Sequence, residues 1–269
     1  MRTLWKRSLM AAAAGAVLVL ATACETVPFV GRNQLLLVGD GEMNTLGVQQ
    51  FQEVKQTEPL CADAGTNQRV TDIGARIARA ADQHLAAQGR TSGFQWEFIV
   101  IQEDDTVNAW CMPGGKVAVY TGILPVAQDD NGLAVIMAHE IAHAIARHGA
   151  ERMSQALALE MGGAALSAAL ASKPAQTRDL FLQSAGLVTN VGVVLPFSRN
   201  MEYEADRIGL ILMAMAGYDP HAAVPLWERM NASGGERPPE FLSTHPAPAN
   251  RIAAIQQMIP EAMQYYRQP

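Results

Sequence analysis

The order of apolar and polar positions predicts a helical first part, a strand-forming middle and a helical remainder. Helices are expected over roughly Gly41–Gln56 and Asn67–Ala87, followed by a strand over Phe94–Ile101. Val107–Cys111 and Val117–Tyr120 read as two further strands, with Pro113-Gly114-Gly115 as the hairpin connection between them. From Leu133 onward almost every segment reads as helix, and no internal repeat marks a tandem array. The expected class is therefore α+β, one mostly helical domain with a small β-sheet. With 49% hydrophobic residues the chain has ample material for a single compact core.

Inside the apolar run Leu133–Ala146 lies His139-Glu140-Ile141-Ala142-His143. On a helix, residues four apart sit only about 40° apart around the axis. His139 and His143 thus present two imidazoles to one point, as a tetrahedral zinc site requires. Glu140 lies about 100° round the same turn, able to reach a water at the metal without binding the metal itself. Without a metal, the same stretch is a buried alanine-rich helix whose two His and one Glu would be costly to bury unpartnered.

A third ligand is available downstream, where Met201-Glu202-Tyr203-Glu204-Ala205-Asp206 leads into the apolar run Leu210–Ala216. Glu202 and Asp206 are one turn apart and share a face, whereas Glu204 is turned about 200° from Glu202. Glu202 is then the candidate metal-binding carboxylate. Asp206 is the candidate acceptor for a ligand imidazole N–H, a partner that ligating histidines usually need. Taken alone, the same carboxylates could be solvated helix charges paired with Arg199 or Arg207. Two His and one Glu with an open position form a catalytic rather than a structural zinc set.

Here the chain resembles the HtpX/BepA-type zinc metallopeptidases, gluzincins related to the CAAX prenyl proteases. The resemblance rests on HExxH followed by the Glu202–Asp206 segment. It extends to Gly31-Arg32-Asn33-Gln34-Leu35, Val107-Asn108-Ala109-Trp110, Pro113–Gly122 and Ser243-Thr244-His245-Pro246, in family order. It covers roughly Gly31–Ile259 and is closest in pattern to periplasmic lipoprotein members of the BepA and LoiP kind. The resemblance implies a zincin-like domain holding one Zn²⁺ and an endopeptidase that clears misfolded or misassembled envelope proteins. It also implies that an edge strand beside the zinc binds substrate main chain to main chain, at Asn108 and Ala109. Alternatively, the Asn108 amide only holds the turn. In the implied chemistry Glu140 is the general base, with a chaperone-like assembly factor of self-inhibited or weak protease site as the alternative.

His245 follows the Gly/Pro-rich stretch Ser233–Pro239 and precedes Pro246 and Pro248, which places it on a loop. There it could donate to a transition-state oxyanion, swing in as a fourth zinc ligand, or merely cap a helix beginning near Ala249. His148 lies about 140° round from His143 on continued helical spacing, off the metal face, and reads as structural. The run Ala156–Ala171 carries Glu160, contains Gly162-Gly163 and is soon followed by Pro174. It is too short to span a membrane and reads as a packed helix near the active-site entrance, or else a mobile lid or membrane contact.

The N-terminus changes the compartment. Arg2, Lys6 and Arg7 precede the apolar stretch Leu9–Leu20 and Ala21-Thr22-Ala23-Cys24, the pattern of a signal peptide over 1–23 with Cys24 as lipidation site. Ala21 stands where a lipobox usually has Leu, and Ala21-x-Ala23 would equally suit ordinary signal cleavage. The expected organisation is signal peptide 1–23, tether 24–40 and metallopeptidase domain 41–269, anchored in the periplasm to the outer membrane. Removing three of 20 basic residues leaves 17 against 26 acidic, a net charge of −9. Such a chain has no electrostatic reason to seek nucleic acid. Cys61 and Cys111 remain, an even pair that in an exported protein is a candidate disulfide, with two separate thiols as the alternative.

Overall fold

In a computed structural model of the chain, residues 24–157, 198–233, 239–245 and 250–267 are described. The signal-peptide expectation on residues 1–23 lies outside them, as does nearly all of the run Ala156–Ala171. The fold is α+β. A two-stranded hairpin, β1 (Cys24–Thr26) and β2 (Asn33–Leu35), leads into helices α1 (Asp40–Thr57) and α2 (Ala64–Ala87). Strands β3 (Glu97–Ile101), β4 (Ala109–Met112) and β5 (Lys116–Tyr120) form one sheet in the order β3-β5-β4. The short α3 (Leu124–Ala127) and the long α4 (Asp130–Ile145) follow. Beyond them come α5 (Arg199–Met215), α6 (Ala223–Ala232), α7 (Glu240–Thr244) and α8 (Arg251–Ala262).

Period-two alternation splits the sheet between two cores. Val117 and Val119 of β5 pack with Ala109 of β4 and Val100 of β3 against α2 and α4, joining Ile73, Ile77, Leu133, Met137 and Ile141. Ala118, Trp110, Met112 and Ile101 point the other way, onto Phe51 of α1. Each of the larger aliphatic or aromatic side chains among them contributes about 1.5–3 kcal/mol on burial. Strand β5 runs parallel to β3 and antiparallel to β4, so β4 is an edge among the described residues, and it lies beside α4. The β4–β5 connection holds Gly114 and Gly115 at φ +87° and +76°, which only glycine adopts without strain.

Helix starts follow local chemistry. Asp63 Oδ1 accepts from Thr66 N–H before α2, and Asp129 Oδ1 accepts from Gly132 N–H before α4, at 2.7 and 2.8 Å. Helix α5 lies against α4 so closely that a Cβ on Gly209 would stand 3.0 Å from the backbone nitrogen of His139. A glycine there lets the two site-bearing helices meet backbone to backbone. Residues 24–40, read from sequence as a tether, pack on the body, with Val27 and Gln34 buried.

The candidate disulfide is not formed, and both thiols are free. Cys61 N–H bonds to Val100 O outside β3, beside the isolated bridge Leu60–Ile101. Cys111 sits on β4, on the far side of β5. Three strand spacings of roughly 4.8 Å separate the two backbones, about 14 Å, twice the reach of a disulfide.

Candidate metal centre

Helix α4 supplies His139, Glu140 and His143, and the first turns of α5 supply Glu202 and Asp206. His245 joins them from the C-terminal end of α7. All six are buried. His245 is thus neither a surface residue nor a helix N-cap, because Phe241 N–H bonds to Val107 O and pins α7 to the start of β4. His139 Nε2 lies 3.1 Å from His143 Nε2, 3.3 Å from His245 Nδ1 and 3.4 Å from Glu202 Oε2. Glu202 Oε1 lies 3.4 Å from His143 Nε2 and 3.2 Å from His245 Nδ1.

These separations fit a metal. Ligand atoms held 2.0–2.1 Å from a tetrahedral centre are about 3.3 Å apart. One donor atom from each of His139, His143, Glu202 and His245 falls within 4.8 Å of the others. Glu202 Oε2 and Glu140 Oε1 are buried and have no hydrogen-bond partner among the described residues. Arg251 Nη1 lies 3.0 Å from Glu202 Oε2 and His245 Nε2 3.5 Å from Glu140 Oε1, and a buried oxygen left without a hydrogen bond costs about 1–3 kcal/mol.

The electrostatics agree. Burial works against charge on Glu202, but His245, His139 and His143 outweigh it and hold its carboxyl well below the usual range. Burial, opposed by His245, pushes Glu140 up to about 7, a value suited to moving protons near neutrality. Burial drives His143 well below its ordinary value, leaving a neutral imidazole with a lone pair to give. Burial also opposes charge on His139, yet Asp206 and Glu202 overcome it and raise its pKa. The set as a whole favours positive charge at its centre.

Asp206 Oδ1 stands 3.0 Å from His139 Nδ1, the position for accepting that ring's N–H. Asn108 Oδ1 accepts from Ala109 N–H at 2.9 Å, and Asn108 O accepts from Tyr120 N–H. The Asn108 amide therefore does shape the turn into β4. The Cys111 backbone N–H on the same strand faces the Glu140 carboxylate and favours its charged form. A cleft lined by Met43, Leu85, Phe94, Cys111 and Pro113 borders His143.

Two residues escape a reading of the motifs. Arg251, 1% exposed, donates twice to Asp206 at 2.8 Å, lies 3.0 Å from Glu202 Oε2 and stacks on Trp227 at 3.6 Å. Its signal was an arginine on the stripe Arg251, Ile255, Ile259, the buried face of α8. His148 is fully buried, 2.9 Å from His143 Nδ1 through its Nδ1 and 3.1 Å from Glu204 through its Nε2. Helical spacing misplaces it because α4 ends at Ile145 and Arg147 takes φ +58°, so the chain restarts in a new direction.

The chain is similar to known proteins over most of its length. The profile of peptidase family M48 matches residues 64–259. The mitochondrial metalloendopeptidase OMA1 of Schizosaccharomyces pombe is 43% identical over 188 residues, 69% of this chain and 53% of that protein. Its namesake in Saccharomyces cerevisiae is 31% identical over 260 residues, 92% of this chain and 72% of that protein. The beta-barrel assembly-enhancing protease of Escherichia coli K12 is 29% identical over 238 residues, 87% of this chain and 47% of that protein. The chain thus spans about half the length of several relatives it matches.

Proposed function

Because the chain belongs to peptidase family M48, the family its motifs resemble, we propose that it is a zinc-dependent endopeptidase of the bacterial cell envelope. Its substrates are misfolded or misassembled periplasmic and outer-membrane proteins. The observation that carries this reading is a buried carboxylate of raised pKa, Glu140, beside two imidazoles and a carboxylate spaced as metal ligands.

Zn²⁺ held by His139, His143 and Glu202 would supply Lewis acidity toward a peptide carbonyl and toward water. The chain's own residues do the rest. Glu140 takes a proton from the attacking water and returns it to the leaving amine. Cys111 N–H and the ring of His245, whose Nε2 lies 3.5 Å from Glu140 Oε1, face that carboxylate. The edge strand β4 offers main chain to an extended substrate around Asn108 and Ala109, and the apolar cleft beside His143 accepts side chains that only an unfolded protein exposes.

The setting is part of the proposal. Lipidation at Cys24 after removal of residues 1–23 would tether the enzyme to the outer membrane, with 41–269 as its catalytic domain. No described helix is long and apolar enough to cross a membrane. The Escherichia coli relative is named for enhancing β-barrel assembly, which favours an envelope substrate here.

A second reading is favoured by His245. Its Nδ1 takes the fourth place among the donor atoms, where water or substrate must enter. An enzyme resting in that form is self-inhibited and could serve mainly as an assembly factor.

The test is digestion of casein by the purified protein beside its Glu140→Gln twin, with metal content measured on both. Cleavage by the parent alone, with about one zinc in each, is the expected result. Full cleavage by the twin would refute Glu140 as base. Zinc in both and cleavage in neither would favour the self-inhibited reading, and His245→Ala should then release activity.

A further inference from the structure

A chain of contacts runs from the N-terminal hairpin to the metal ligand His143. Arg32, in the loop between β1 and β2, places its guanidinium between two carboxylates. Its Nη1 and Nη2 donate to Glu151 at 2.8 and 2.7 Å, and its Nη2 donates to Glu204 at 3.0 Å. Glu204 Oε2 meets His148 Nε2 at 3.1 Å, and His148 Nδ1 meets His143 Nδ1 at 2.9 Å.

Proton bookkeeping along this chain has one solution once a metal sits at His143 Nε2. Glu204 beside Arg32 is an ionised carboxylate and can only accept. His148 Nε2 must therefore carry the hydrogen. A metal at His143 Nε2 leaves that ring its hydrogen only at Nδ1, so His148 Nδ1 has to be an acceptor. It must then receive the hydrogen of His143 Nδ1, and His143 Nε2 keeps its lone pair, pointed at Glu202 and the donor cluster. The opposite arrangement sets the lone pair of His148 Nε2 against a carboxylate oxygen at 3.1 Å.

We propose that Arg32, Glu204 and His148 are positioning residues that fix the tautomer of His143, so that its Nε2 is bare for the metal. The proposal rests on the metal-centre reading above. It makes the hairpin loop at Arg32, far from the site in sequence, part of what sets metal affinity. Ligand imidazoles whose second nitrogen loses its partner commonly lose about 10–100-fold in metal affinity.

Two isosteres separate positioning from mere packing. The Asn amide oxygen sits where His Nδ1 does, so His148→Asn keeps an acceptor for His143. The Gln amide reaches the Nε2 position, so His148→Gln keeps the Glu204 contact and drops the acceptor. Zinc affinity of the purified full-length protein would be measured by competition with a chromogenic chelator, alongside metal-free melting. We expect His148→Gln to bind zinc about 10–100-fold more weakly and His148→Asn to stay within several-fold of the parent, while both melt alike. Equal affinity losses in the two variants, or none in His148→Gln, would overturn the proposal.

A second measurement needs neither metal nor a tolerant core. In ¹⁵N-histidine-labelled, metal-free parent, with the His143 signals assigned by their loss in His143→Gln, the ring should be protonated at Nδ1. In Arg32→Gln, altered at a partly exposed position, the Nε2-protonated form should gain population. Protonation at Nε2 in the parent would sink the relay. A parent that binds no zinc, yet shows Nδ1 protonation, would retire the peptidase reading and leave the relay standing.

Discussion

The two histidines of α4 are held in unlike ways. His139 is backed by Asp206, which is gripped by Arg251, which stacks on Trp227, all enclosed by α5, α6 and α8. His143 is backed by neutral His148, then Glu204, then Arg32, whose side chain is 34% exposed on the N-terminal loop. One support is short, charged and dry; the other is longer, passes through a neutral ring and ends at solvent. The first suits permanence. The second lets a segment outside the helical bundle bear on the same site.

The comparison predicts unequal costs. Arg251→Met leaves Asp206 and Glu202 buried without their cation, a loss of about 3–5 kcal/mol. Arg32→Met takes a partly exposed cation from Glu151 and Glu204, where water can reach the vacated place, and costs less, about 1–3 kcal/mol. Urea midpoints of the two variants against the parent measure the difference. Equal losses would break the distinction between a dry and a wet support. A milder probe of the dry side is Gly209→Ala, whose methyl would meet His139 N and the Ala138 carbonyl carbon and oxygen at 3.0–3.1 Å. Overpacking of that kind costs about 1–3 kcal/mol, again read as a fall in the urea midpoint. Unchanged stability would mean that α4 and α5 can separate without cost.

The dry support was half legible in the sequence and the wet one hardly at all. Glu202 and Asp206 are one turn apart on a helix, so spacing alone puts both carboxylates on the face toward α4. Arg251 is legible as a charge on an apolar stripe, but it follows Pro246 and Pro248 so closely that the local pattern there is that of a loop. His148 was out of reach, since its placement depends on Arg147 adopting a left-handed backbone that no periodicity announces. The same limit applies to the sheet. Three strands and the Gly-Gly turn were legible from alternation, yet the order β3-β5-β4 was not, and that order is what parts Cys61 from Cys111. Local pattern gave the elements and the ligands on one helix; contacts between distant segments needed the fold.

The smallest effect, and the one that compares the two supports most directly, is their titration in metal-free protein. His139 has a raised pKa because the hydrogen bonds of Asp206 and Glu202 outweigh burial. Its contribution to stability is complete below the unfolded-state value of 6.5 and is lost as pH rises through the folded value. His143 and His148 have lowered pKa values, with burial the leading cause in both. The unfolded chain binds more protons there, so their contribution is complete above 6.5 and falls away as the solution is acidified below it. Proton-detected titration of the ring signals should therefore show His139 keeping its proton above the ordinary value of 6.5. His143 and His148 should stay neutral below that point. Asp206→Asn should pull the His139 midpoint down and leave the other two where they are. If that substitution moved all three together, the supports would be one electrostatic unit, and the distinction between a locked ligand and a tunable one would collapse.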